Sequence, residues 1–249
     1  MCERLGFFTF TSFFILACGL LIFGWGGAAD AYQAETVTNP GKLEGTVKFA
    51  GAAPSPAPLE ISKDRDVCGT HPLFDQSLIV GRDGGIANAV ITLPNLEKGA
   101  PQKPLPLVTF DQKGCEYTPH VAVFPAGSTV DVINSDGILH NIHTDSVVNP
   151  VIDMAQPGFK KMIAITVKKP EAIRVTCDAH NWMEGWWYVT ANPYYALTGF
   201  NGHYEIDGIP PGDYEVQAWQ EKLGVKKQTV TIKPGETTTA DFTMGPKSK

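Results

Sequence analysis

Apolar and polar residues alternate in short runs along most of the chain, with a period of two. Residues 43–49 (Leu-Glu-Gly-Thr-Val-Lys-Phe) show the pattern plainly. Similar runs at residues 86–93, 107–110, 121–124, 129–134, 163–168, 172–177 and 185–189 predict strands, because successive side chains on a strand face opposite sides. Turn signals separate them, among them Asp83-Gly84-Gly85 and Pro125-Ala126-Gly127. In the last strand-like run before a short loop, Ile173, Val175 and Cys177 share one face and Arg174 and Thr176 the other. From residue 193 the spacing changes. An Asn201-Gly202 turn leads into an alternating strand, Ile209-Pro-Pro-Gly212 turns into a second, and residues 229–232 and 238–243 complete a small antiparallel set. No amphipathic helical period appears after residue 32. The expected fold class is all-β.

The first 31 residues break the alternation. Arg4 precedes an apolar run reaching Trp25, and Ala29-Asp30-Ala31 places small residues where a signal peptidase reads. A cleaved export signal is expected. An uncleaved membrane anchor and a lipoprotein signal at Leu16-Ala17-Cys18 remain open, and either would tether the protein. The expected location is periplasmic or extracellular. The net charge of −6 and the dispersed Lys and Arg exclude a nucleic-acid partner. Beyond the leader three cysteines remain, Cys68, Cys115 and Cys177. An odd cysteine in an exported chain calls for an explanation, and metal ligation supplies one.

The chemistry concentrates in Cys177-Asp-Ala-His180-Asn-Trp-Met183. A thiolate, an imidazole and a thioether fall within seven residues, and further imidazoles lie upstream in Leu139-His140-Asn141-Ile142-His143. One soft thiolate, two imidazoles and a weak axial thioether suit copper in both of its oxidation states. Zinc has little use for the methionine. Covalent haem needs C-x-x-C-H, which the chain lacks.

These segments, together with Asp131-Val-Ile-Asn134, resemble the blue copper proteins, the cupredoxins of amicyanin and plastocyanin type. The resemblance covers about residues 107–190. It implies a Greek-key β-sandwich or barrel, one copper ion, and the ligands His140, Cys177, His180 and Met183. It also implies that Asn141 ties the two ligand loops together and that His143 is not a ligand. Residues 193–249 resemble a carboxypeptidase regulatory-like domain, a small transthyretin-like β-sandwich, through Asn201-Gly-His-Tyr204 and Ile209-Pro-Pro-Gly212-Asp-Tyr214. The expected organisation is a leader (1–31), an N-terminal β region (32–106), a copper domain (107–192) and a tail sandwich (193–249).

With Cys177 assigned to copper, Cys68 and Cys115 are left as a disulfide pair. A second metal site formed by Cys68, His71, Cys115 and His120 is the alternative. The expected function is one-electron transfer by a non-enzymatic carrier, with a redox protein such as a c-type cytochrome as partner. Copper storage or delivery, and a purely structural envelope module, are the competing readings. A single ligand set in a chain poor in Met and Cys favours the carrier. On the cupredoxin pattern one edge of His180 should reach the surface, within an apolar rim of Ile138, Leu139 and Trp182 over which the partner docks.

Overall fold

The computed structural model describes residues 32–103 and 107–246, so the leader expectations lie outside the described residues. The fold is all-β, with one four-residue helix, Arg65–Cys68, among the described residues. None of these residues forms a helix long and apolar enough to cross a membrane.

Two β-sandwiches make up the described chain. In the first, a five-stranded sheet runs Asp153–Gln156, His140–Asp145, Glu171–Thr176, Glu184–Thr190, Val121–Pro125. It faces a four-stranded sheet ordered Met162–Thr166, Thr129–Asn134, Val108–Lys113, Glu116–Thr118. Strand 121–125 lies parallel to 184–190, and 108–113 parallel to 129–134, so the chain crosses between sheets rather than meandering. The inward residues of the alternating runs meet between the sheets. Phe110, Phe124, Val130, Val132, Ile173, Val175 and Trp187 form this core, with Phe110 stacked on Tyr117 and edge-on to Trp187. Each such large apolar side chain contributes roughly 1.5–3 kcal/mol by leaving water. Ile173, Val175 and Cys177 are buried together, as their alternation requires.

The second sandwich corrects the expected domain plan. Strand Gly41–Phe49 pairs antiparallel with His203–Ile209 and parallel with Thr237–Thr239 and Phe242–Met244. Strand Val90–Thr92 sits between Tyr195–Leu197 and Gly212–Gln220, and Gly224–Ile232 completes that sheet. Leu43, Val47, Ile91 and Leu93 therefore share one core with Ile206, Val216, Ile232 and Phe242. Strands 41–49 and 90–92 and the strands of residues 195–244 form a single sandwich, and the first sandwich is inserted between its halves. The physical reason is exposure: the tail strands alone leave an apolar face uncovered, and strand 41–49 covers it. Gly45 marks the tightness of this joint, since a Cβ there would lie 2.0 Å from the Ala240 carbonyl oxygen.

Other differences are local. The run 86–93 is a strand only at Val90–Thr92, because Asn88 takes a left-handed φ of 59°. Residues 96–106, read as a loop, include Lys98–Gly99, which pairs with Gln33–Ala34. The two sandwiches meet at Val90, Val121 and Trp219, where Trp219 packs on Trp186 and Tyr188.

One segment departs from both sandwiches. Residues 58–74 leave the N-terminal half and fold as a strap against the first core, closed at its base by a hydrogen bond from Leu59 N–H to Leu73 O. Leu59, Ile61, Val67 and Leu73 pack against that core, and a Cys68–Cys115 disulfide pins the strap there.

Candidate metal centre

The site forms where two loops meet at one end of the first sandwich. The first loop leaves strand Thr129–Asn134. The Asn134 side chain accepts from the Gly137 N–H and donates to the carbonyls of Ile138 and Gln156, which folds residues 134–138 into a tight turn. Gly137 takes φ +73° there, a conformation glycine adopts without steric cost. The turn delivers His140, at the start of strand His140–Asp145, into the interior. The second loop follows strand Glu171–Thr176. The Cys177 carbonyl accepts from His180 N–H at 3.3 Å, and the His180 carbonyl from Met183 N–H at 3.0 Å. Two successive turns thus wrap the C-x2-H-x2-M segment back onto itself. Cys177, His180 and Met183 are all buried, and Met183 joins Cys177 in the core.

Three donor atoms converge. His140 Nδ1 and His180 Nδ1 are 3.1 Å apart, and Cys177 Sγ lies 4.0 Å and 3.8 Å from them. A triangle with these sides has a circumscribed circle of radius about 2.1 Å, within the metal–nitrogen and metal–sulfur bond lengths of about 2.0–2.3 Å. The outer face of each imidazole is fixed by a carboxylate. His140 Nε2–H donates to Asp136 at 2.9 Å, and His180 Nε2–H donates to Asp64 at 2.8 Å. With the proton held at Nε2, each Nδ1 turns a lone pair toward Cys177. Two lone pairs and a sulfur facing one another in a buried space make a donor set for a cation.

The electrostatics agree. Burial alone would raise the Cys177 thiol pKa. The neighbouring His140 and His180 rings, together with hydrogen bonds from the backbone N–H groups of Asn141 and His180, outweigh it and bring the thiol down to about 6. Burial works against protonated His140, but the Asp136 carboxylate and the Cys177 sulfur more than offset it and move its pKa up. Asp136 is pushed up by burial, yet His140 and the N–H groups of Cys115 and Gly114 hold it below the usual carboxylate range. The turn at Gly114-Cys115 presents both of those N–H groups to Asp136, at 2.6 and 2.8 Å.

Asp136 and Asp64 are the site residues the sequence reading missed. Asp136 stands four residues before His140, a spacing that offers a weak signal. Asp64 lies 116 positions from its partner in a different part of the chain, and nothing local points to it. Asn141 links the two loops through its backbone rather than its side chain. Its side-chain amide donates to Asp153 at 2.9 Å, and its backbone N–H reaches Cys177. His143 is half-buried and bonded to Asp178 at 3.0 Å, away from the three donors.

The alternative second metal site is overturned. Cys68 and Cys115 are joined as a disulfide, so neither sulfur is available. His120 pairs with Glu221 at 2.5 Å, and His71 contacts Thr70. The exposed edge expected for His180 is overturned as well. His180 has no solvent-exposed surface, because Asp64 at the tip of the strap covers it. Lys63, next to it, reaches the Ala179 carbonyl of the ligand loop.

Residues 188–245 match the carboxypeptidase regulatory-like domain. The match spans most of the tail half of the second sandwich, and strands 41–49 and 90–92 lie outside it. No curated protein matches the chain. Among solved structures, part of the chain is similar to a copper-containing nitrite reductase from Thermus scotoductus SA-01, at 28% identity and a TM-score of 0.30. That match covers 35% of this chain and 23% of the reductase, so the chain spans less than a quarter of that protein. A purple cupredoxin from Nitrosopumilus maritimus is similar at 20% identity and a TM-score of 0.29, over 33% of this chain and 99% of its own. Amicyanin from Paracoccus versutus is similar at 20% identity and a TM-score of 0.31, over 40% and 96%.

Proposed function

We propose that the protein is an exported mononuclear copper protein that carries single electrons. The observation that carries this reading is the buried triangle of His140 Nδ1, His180 Nδ1 and Cys177 Sγ, with Met183 in the same core. One soft thiolate, two imidazoles and a thioether are the donors that suit copper through its one-electron couple. Copper bound there would supply a metal that changes charge by one unit without large movement of its ligands.

The chain's own residues prepare the site. Asp136 and Asp64 hold the two imidazoles in the tautomer that frees Nδ1. The hydrogen bonds at Cys177 favour its thiolate at neutral pH. The sandwich fixes both loops before the metal arrives, which keeps rearrangement during electron exchange small. Burial of His140, Cys177, His180 and Met183 keeps bulk solvent from the centre, which supports the carrier reading. Export is supported by the Cys68–Cys115 disulfide, since such bonds persist in oxidising compartments. A redox protein such as a c-type cytochrome is the partner this reading requires.

The test is a copper titration of the metal-free protein followed by visible absorption. The wild-type chain should develop one intense thiolate-to-copper band that saturates at one equivalent, and Cys177→Ser should lack it. Full colour in Cys177→Ser would remove the assignment.

A further inference from the structure

In this fold both outward edges of the candidate imidazole ligands are closed. His140 and His180 are fully buried, and their Nε2 atoms are bonded to Asp136 and Asp64. An electron leaving through either edge must first cross a carboxylate and, at His180, the disulfide-pinned strap. Leu139, on the loop before His140, is half exposed.

One side chain of the ligand loop does lead outward. The Trp182 ring is centred 5.0 Å from that of His180, and its indole N–H donates to the Cys115 carbonyl at 3.2 Å, which fixes its orientation. Trp182 is only partly buried. It lines a cleft of about 440 Å³ together with Met183, Trp186, Arg174 and Lys222. Glu221 and Lys222 of the second sandwich line the same cleft. Electronic coupling falls steeply with through-space gaps, so a large π-system packed beside a ligand ring and open on its far side is the favoured conductor.

We propose that single electrons pass between the metal site and its redox partners through the indole of Trp182 into this cleft, not through the outer edge of His180. This rests on the copper-carrier reading. In each exchange one electron moves from the reduced metal to a one-electron acceptor in the cleft. No bond forms or breaks and no proton moves. The cleft is lined by Asp75, Glu116, Glu184 and Glu221 against Arg174 and Lys222, and Lys222 is half exposed and paired with Asp75 at 2.9 Å, so replacing it with Glu makes an acidic lining more acidic.

The experiment uses the full copper-loaded chain and two oxidants of opposite charge, hexacyanoferrate(III) and tris(phenanthroline)cobalt(III). Trp182→Leu should slow oxidation of the reduced protein by both reagents by about tenfold or more, with the thiolate band and the reduction potential unchanged. Trp182→Phe, which keeps a π-system, should restore most of the rate. Lys222→Glu should slow the anionic oxidant and speed the cationic one. Lys161→Glu, whose side chain lies beside Gly137 and does not line the cleft, should change neither. A readout independent of turnover is tryptophan emission during copper(II) addition to the metal-free protein. The quenched share should be smaller in Trp182→Phe than in the wild type. Rates unchanged in Trp182→Leu, or rates that respond to Lys161 and not Lys222, would overturn the route. Absence of the thiolate band in the wild-type chain would instead remove the copper reading beneath it.

Discussion

At the residue scale the site is a set of proton placements. Each imidazole keeps its proton on Nε2 because a carboxylate accepts it there, and Nδ1 is thereby free. Partners of this kind typically change metal affinity by about 10–100-fold when removed. Asp136→Asn should therefore weaken copper binding by about that factor in a competition titration, with the thiolate band still present at saturating metal. Unchanged affinity would mean that Asp136 only shapes the turn. The thiol gives a pH prediction. Its folded pKa of about 6 is below that of an ordinary thiol, so its share of stability in the metal-free protein is present above the ordinary thiol range and lost as pH falls through about 6. Thiolate absorbance of the metal-free protein should appear with a midpoint near 6, and His140→Ala should move that midpoint up. The convergence of Cys177 and His180 was legible in the sequence because both fall within one short loop, and that of His140 through the upstream segment that the cupredoxin resemblance marks. The two carboxylates were not, since a hydrogen bond to a ring edge leaves no periodic trace.

At the element scale the strands were largely legible and the strap was not. Alternation marks a strand with one buried face, and runs such as Thr129–Asn134 and Glu171–Thr176 appear close to where alternation places them. The strap, residues 58–74, has no period. It is held by a few apolar contacts, the Cys68–Cys115 bond and the Asp64–His180 hydrogen bond. The spare cysteines pointed to a disulfide, but not to a cover over His180. A crosslink closing a 47-residue separation stabilises the fold by about 4 kcal/mol on loop-entropy grounds. Replacing both cysteines with serine should lower chemical-denaturation stability by about that amount. It should also raise solvent exchange at residues 58–74 before any other described segment. Protection of the strap equal to wild type would show that packing alone holds it.

At the scale of the whole molecule, the carboxypeptidase regulatory-like tail is completed by strands that precede the first sandwich in sequence. The resemblance at 193–249 was readable from its turn motifs, but the missing strands were not, because Gly41–Phe49 lies more than 150 residues from His203–Ile209 and carries no motif of its own. Insertion has a structural consequence. The first sandwich is tied at both ends to one neighbour, and residues 58–74 and 221–222 of that neighbour reach toward the ligand loop. The 177–183 loop is therefore enclosed by parts of the chain outside residues 107–192, which is why His180 is buried here.

The account stands on one buried centre built from His140, Cys177 and His180. X-ray absorption at the copper edge of the loaded full-length protein tests it most directly. The expected result is one short sulfur and two nitrogen scatterers around copper, with the sulfur lost in Cys177→Ser. A first shell of nitrogen and oxygen alone in the wild-type protein would contradict it.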